Sequence, residues 1–415
     1  MPATRIMVEP GVELVVVGDE LLTGRSGDTS SEILGRRLAA AGLPVARRTV
    51  IGDSAVMIAE TLEQAVGRSR LVFVVGGLGS TPADRTVTAV AELLGRKTVL
   101  HPPTLRRIEK SFRQGGRRVP ALARQQARVV PGARLFPNPV GFAPACLVER
   151  QGTVIVLLPG IPAELDVLFT VVEPFLRARF VKVPASRVQV RTTGESESVL
   201  AGRVERALRR HSSVATTYYP STTGVDIVLS APSALELEDA LGLVRKAVDS
   251  RVYEVGERDI AEVVGELLAT RRLTLATAES CTAGLVAARI TDVPGSSGYF
   301  RGGVIAYSNS AKTALIEVGK PALDRHGAVS RAVAQQMASG VAGRFGADVG
   351  LSVTGIAGPG GATPDKPVGL VFTAAAVRGR LTCERLMLGG KRRAIREQAV
   401  AAVLDLCRRA LESDR

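Results

Sequence analysis

Residues 12–42 read VELVVVGDELLTGRSGDTSSEILGRRLAAAG. The first seven, VELVVVG, form a buried strand by pattern, and GDELLTGRSGDTSS after them is a polar loop. SSEILGRRLAAAG then places Ile33, Leu34, Leu38 and Ala41 on one stripe and stops at Gly42, which predicts a helix. A strand (VARRTVI, 45–51), a helix (SAVMIAETLEQAVG, 54–67) and a second buried strand (LVFVV, 71–75) continue the alternation, and GGLGST follows. Strands alternating with helices give βαβ units and a mainly parallel sheet, with ligands at the C-terminal ends of its strands. The strand TVIVLLP (153–159) and a helix from about Pro162 close this part near residue 180.

Beyond it the pattern changes twice. Between 181 and 256, strand-like pieces (RVQVRTTG, VDIVLSA) alternate with helical ones (ESVLAGRVERALRR, ALELEDALGLVRKAVDS), which predicts a small α+β domain. It has no GxxG loop of the kind a KH domain uses to clamp RNA. From 257 a helix (DIAEVVGELLATRR) leads into the strand LTLATAE. GGVIAYSN, the helix VSRAVAQQMASGVAGRFG, the strand VGLSVTG, the turn IAGPGGATPDKP and the strand VGLVFTAAAV come next. A terminal helix runs from about Arg393 to Leu411. The expected organisation is two α/β sandwich domains, 1–180 and 257–415, joined by a small α+β (KH-like) domain, 181–256.

Composition narrows the chemistry. The chain has 415 residues, more than one ordinary domain holds, and only 4% aromatics with no Trp, so its cores should be aliphatic. No apolar run approaches the ~18 residues of a membrane span. The opening MPATRIMVEPGVELVVVGDE lacks a signal-peptide plan. Cys146, Cys281, Cys383 and Cys407 stand far apart with no CxxC pair, which fits a reducing cytoplasm better than a disulfide framework or a zinc site. The net charge of +14 suits anionic partners, and its densest part is 101–128, with Arg106, Arg107, Lys110, Arg113, Arg117, Arg118, Arg124 and Arg128 against Glu109 alone. That run is either a solvated face or an anion-binding one.

Three pieces of the C-terminal part carry chemistry. In TAESCTAG (277–284) a buried strand turns into a helix expected to begin at Cys281, which puts Ser280 over free amides and the positive end of a helix dipole. Ser280 is then either an N-cap or a nucleophile with an oxyanion site beside it; Cys281 is the competing nucleophile. Tyr307-Ser308-Asn309 with Lys312 about a helical turn later forms a second polar cluster, and a lysine of lowered pKa there serves as a base without histidine. Thr354-Gly355-Ile356-Ala357-Gly358-Pro359 follows a strand, where glycine amides converge on a phosphate or simply make a turn. Arg392 and Arg396, a helical turn apart, offer forked donors.

The strings TAESCTAG, TDVPGSSGYFRGGVIAYSNSAK, HGAVS, VTGIAGPGG and PDKPVG together resemble the C-terminal domain of the CinA family (competence/damage-inducible), over about 150 residues. The resemblance implies a cofactor-free hydrolase that deamidates nicotinamide mononucleotide (NMN) to nicotinate mononucleotide and ammonia in pyridine nucleotide recycling. It implies Ser280 as nucleophile, Tyr307 and Lys312 as catalytic helpers, and Thr282, Ser297, Thr354, Gly355, Gly358, Arg392 and Arg396 around the substrate. Ala283 stands where the family usually has glycine, and Gly390-Lys391-Arg392 where it has Gly-Asp-Arg.

The strings GDELLTGRSGDTS, GGLGSTPADRT, NPVG and LPGIPAEL resemble the MoaB/MogA-like half of the same family. There the resemblance implies a nucleotide-binding turn at Gly76, Gly77 and Gly79 and ADP-ribose pyrophosphatase activity. A divalent metal ion would be held by Asp19, Asp28 and Asp84, with Glu20 and Glu164 nearby. Ala83 replaces one aspartate of the family's usual pair, which weakens that ligand set; Ser80 and Ser30 are further departures. The family also implies a cytoplasmic homodimer. Its name and the basic run suggest a rival function, a competence accessory factor whose partner is nucleic acid or a recombinase.

Overall fold

The structure, a computed structural model, describes residues 11–181 and 186–414. It divides into two compact units, the first ending at residue 184 of the chain and the second taking the rest. The first ten residues, part of the stretch read for a leader, lie outside the described residues.

In the first unit, β1 (Val12–Val17), α1 (Asp19–Leu22), α2 (Thr29–Ala40), β2 (Val45–Ile51), α3 (Ala55–Val66), β3 (Leu71–Val75) and α4 (Thr86–Leu93) follow in turn. A small lobe comes next: β4 (Val99–Leu100), α5 (Pro102–Gln114), a 3-10 turn (Leu122–Ala127) and β5 (Arg128–Val129). β6 (Arg134–Phe136), β7 (Ala145–Arg150), β8 (Thr153–Leu158) and α6 (Pro162–Phe180) complete it. The main sheet runs β2-β1-β3-β8-β7-β6. Its first four strands are parallel and the last two antiparallel. β1 is buried throughout because both faces of the sheet are covered, and its charged residue Glu13 pairs with Arg68 at 2.6 Å. Leu14 and Val16 pack with Leu34, Leu38 and Phe169 on one side, and Val15 and Val17 with Ile58, Leu62 and Val90 on the other.

The second unit holds two sheets. β9 (Ser186–Thr192), α7 (Glu197–Ala207), β10 (Ala215–Pro220), β11 (Val225–Ala231), α8 (Ala234–Val248) and β12 (Val252–Val255) build an antiparallel sheet in the order β10-β11-β9-β12. Its core joins Val190, Ile227 and Leu229 to Leu200 and Val204 of α7 and Val244 of α8.

After α9 (Ile260–Arg271) come β13 (Leu275–Glu279), α10 (Leu285–Thr291), β14 (Phe300–Ile305), α11 (Asn309–Ile316), α12 (Lys320–His326), α13 (Arg331–Phe345) and β15 (Val349–Gly355). β16 (Leu370–Val377), β17 (Arg380–Met387) and α14 (Arg392–Ser413) end the chain. This sheet runs β14-β13-β15-β16-β17, parallel across its first three strands and antiparallel beyond. α9, α10 and α14 cover one face, and α11 to α13 cover much of the other. The chain is a multidomain α/β and α+β protein. No helix among the described residues is long and apolar enough to cross a membrane.

Candidate active site

The parallel strands β14, β13 and β15 end side by side, at Ile305, Glu279 and Gly355. Ser280 leaves β13 with its amide donating to the Val353 carbonyl of β15 at 2.9 Å, and the Ala306 amide donates back to Glu279 at 2.8 Å. The helix expected from Cys281 begins four residues later, at Leu285. Ala283 (φ 51°) and Gly284 (φ 95°) adopt left-handed backbone, which no α-helix continues through.

Sequence reasoning gave Glu279 no role. Its buried carboxylate accepts from the amides of Gly284 (2.8 Å), Val286 (3.1 Å) and Ala287 (2.9 Å). The helix-start donors expected to hold an oxyanion are therefore already engaged by an internal anion. The amides of Cys281 and Thr282 make no main-chain hydrogen bond among the described residues. The clue was an acidic residue closing a buried strand just before a helix.

Lys312, on α11, is 1% exposed, and its Nζ lies 3.1 Å from Ser280 Oγ, 2.8 Å from the Ala306 carbonyl and 3.4 Å from the Tyr307 carbonyl. Burial pushes this amine below the ordinary lysine range, with Cys281 opposing. Three oxygens surround the nitrogen, two carbonyls and the Ser280 hydroxyl; once the amine sheds a proton, two N–H bonds serve the carbonyls and the lone pair is left for the serine. Burial pushes the Cys281 thiol up to about 11, so it is a poor rival nucleophile.

The remaining residues sort differently from expectation. The Tyr307 phenol is 58% exposed and accepts from Arg392 Nη2 at 3.2 Å; among the described hydrogen bonds, only its main-chain carbonyl reaches Lys312. The phenol expected to assist catalysis stands at the rim, beside Arg392. Arg392 also donates to the Gly358 carbonyl at 2.7 Å, drawing the glycine-rich turn toward Tyr307. Arg396 donates to the Thr282 carbonyl at 2.6 Å and ties α14 to the Ser280 loop; its Nε and the Thr282 hydroxyl are buried without partners among the described residues.

Thr354 is adjacent to Ser280 across the sheet, but its hydroxyl donates to Ala328 at 2.8 Å. Gly355 is packed so closely on Leu370 and Val371 that a side chain has no room. Ser297 is misplaced by the expectation. It lies on the exposed turn before β14, and the parallel register puts that turn at the opposite end of β13 from Ser280, at least ~15 Å away at ~3.3 Å per strand residue. Two cavities of about 280 and 530 Å³ open between the sheets of this unit, and none of Ser280, Tyr307 and Lys312 lines them.

In the first unit Gly76 and Gly77 take positive φ where the chain passes against Val17 and Thr86. Asp84 accepts from the amides of Gly79 (2.8 Å) and Thr81 (2.7 Å), so a donor expected to cradle a phosphate is satisfied internally. Asp28 caps α2 through Ser31, Asp19 accepts from the Asp53 amide, and Glu164 accepts from Asn138 at 2.7 Å. Among the described residues no three His, Cys, Asp or Glu side chains gather as a metal-binding group. The expected set of Asp19, Asp28 and Asp84 does not fit a metal here, because Asp28 and Asp84 brace their own loops and Asp19 accepts from the loop after β2. Asp53, unnoticed in the sequence, lies among Asp19, Glu20 and Asp84; burial chiefly, and then those charges, raise its pKa.

Residues 257–411 match the CinA C-terminal domain, and residues 13–178 match the probable molybdopterin binding domain. A CinA-like protein of Dictyoglomus thermophilum is 38% identical over 406 residues, covering 96% of this chain and 98% of its own. The chain belongs to the CinA family. A putative competence-damage inducible protein of Symbiobacterium thermophilum is 41% identical over 418 residues, covering 96% and 98%. A crystal structure of a CinA superfamily protein from Klebsiella pneumoniae 700603 is 31% identical and covers 38% of this chain and 99% of its own, with a TM-score of 0.36.

Departures from the CinA pattern have structural readings. Ala283 occupies one of the left-handed positions, where glycine costs least. Ala83 is exposed on the loop that Asp84 braces. Lys391 precedes α14, so the charge reversal leaves the Arg392 contacts in place.

Proposed function

We propose that the C-terminal domain is a serine amidohydrolase that converts NMN to nicotinate mononucleotide and ammonia. The observation that carries this reading is the 3.1 Å contact between Ser280 Oγ and the buried amine of Lys312. A serine beside a desolvated lysine is a nucleophile with its base already in place. The choice of NMN follows the family resemblance, and Arg392 supplies a guanidinium for its phosphate.

Neutral Lys312 takes the Ser280 proton as Oγ attacks the carboxamide carbon. The amides of Cys281 and Thr282, next in the chain, stabilise the oxyanion. Collapse breaks the C–N bond; Lys312 returns the proton to nitrogen and ammonia leaves, with the acyl group as an ester on Ser280. Water then attacks that ester, giving its proton to Lys312, which passes it to Ser280 as the acid is released.

Ammonia release from NMN by the purified protein tests the proposal. Ser280→Ala should remove it by at least ~10³-fold, the scale of losing a nucleophile. Undiminished activity in that variant, or no ammonia from the wild type, would falsify the assignment. We derive no metal-dependent pyrophosphatase step for the first unit, since its carboxylates do not fit the ion.

A further inference from the structure

The lobe formed by β4, α5, the 3-10 turn and β5 carries an unusual share of the charge. Residues 101–128 hold eight Arg and Lys against one Glu, a net +7 out of +14 for the whole chain. A uniformly arginine-rich composition does not account for this, because the other 387 residues share the remaining +7. All eight cations are exposed. The lone acid, Glu109, is 3.9 Å from Arg113 and 3.7 Å from Arg124, and among the described residues no ion pair neutralises Arg106, Lys110, Arg117 or Arg118. On α5, Arg106, Lys110 and Arg113 are spaced four and three apart and share one face. Arg117 and Arg118 follow just past its end.

We propose that this lobe is a docking surface for the phosphodiester backbone of nucleic acid. Forked guanidinium donors repeated along one face, without an aromatic hot spot at the centre, suit a row of phosphates rather than an acidic protein. A membrane surface fits less well, although α5 is a basic amphipathic helix. Its apolar side is spent inside the lobe: Ile108 is fully buried against Ala123 and Ala127, with Leu105 and Phe112 packed around them. Binding of this kind reads charge and not sequence.

The test uses the full-length protein and fluorescence anisotropy with a labelled single-stranded oligonucleotide and its duplex. About five engaged cations predict a loss of roughly 100-fold in single-strand affinity between roughly 50 and 200 mM salt. Arg106→Glu, Lys110→Glu and Arg113→Glu together should weaken binding more than tenfold. An equal charge change elsewhere, Arg245→Glu, Lys246→Glu and Arg325→Glu, should weaken it much less. All six positions are exposed, so folding is not at stake. Equal losses in the two variants, no binding to either oligonucleotide, or binding only to phosphatidylserine vesicles would each overturn the proposal. Ammonia release from NMN should be the same in both variants, so this test stands apart from that of the amidohydrolase.

Discussion

Ser280 and Lys312 are 32 positions apart in sequence, and their contact depends on burying an amine that water would otherwise keep charged. The pH dependence has a definite sign. Burial lowers the Lys312 pKa, so the competent neutral form grows as pH climbs through that lowered value and is lost beneath it. A profile of kcat/KM for NMN should therefore rise to a plateau with a midpoint below the usual ~10.4. In Lys312→Arg, which holds its proton, activity should fall without a recoverable alkaline limb. A wild-type midpoint at or above the usual value would count against the lysine as base. The same depression means that folding releases this proton, so the residue's contribution to stability grows as pH rises. Ala283 offers a second prediction at this scale. Its left-handed φ costs an L-residue ~1 kcal/mol that glycine avoids. Ala283→Gly should gain about that much in urea denaturation, and a loss of stability would contradict this account of the strain.

At the scale of elements, the two loops most open to a ligand-binding reading use the same device. Each carries a carboxylate that turns back on the loop's own amides, Glu279 at the start of α10 and Asp84 in the turn before α4. An anion at a helix N-terminus is favourable whether it comes from a substrate or from the chain. Pattern alone does not say which. Glu279→Ala should remove the partner of three amides at once and destabilise the C-terminal sheet by about 3 kcal/mol. Glu279→Gln, keeping one acceptor oxygen, should lose less. Both variants should lower kcat for NMN, through a displaced Ser280 loop. Full stability in Glu279→Ala would show that α10 does not depend on the cap.

For the whole molecule, the two sheets of the second unit are tied through Arg408 of α14. Its side chain is 5% exposed, pairs with Asp405 at 2.8 Å and Glu412 at 2.8 Å, and donates to the Ser250 carbonyl next to β12 at 3.1 Å. Arg408→Ala leaves Asp405 buried with Arg409 as its remaining cation. The expected cost is about 3 kcal/mol, below that of stranding a lone buried charge. If the tie unites the sheets, the variant should unfold in two steps where the wild type unfolds this unit in one. A single transition in the variant would argue that packing elsewhere holds them together.

Much of the fold was legible because local pattern and burial agree in it. β2, β3, β11 and β15 span the strand-like segments of the sequence, at 45–51, 71–75, 225–231 and 349–355. β10 and β17 were missed, since mixed polar edge strands such as ATTYYP and RLTCERLM carry no clear period. The antiparallel partners β6 and β7 were also silent, because strand direction is set by long-range pairing. Within the site, the sequence by itself determined the chemistry available: a serine, a lysine and glycine-rich turns, all at strand ends. Tertiary structure decided which groups meet. It brought Lys312 to Ser280, turned the Tyr307 phenol and Arg396 to other tasks, and left Ser297 at the far end of the sheet. It also gave the loop amides to Glu279 and Asp84. The physical reason is that periodicity reports which side of an element is buried, whereas hydrogen-bond partners and pKa depend on what the rest of the chain packs against it.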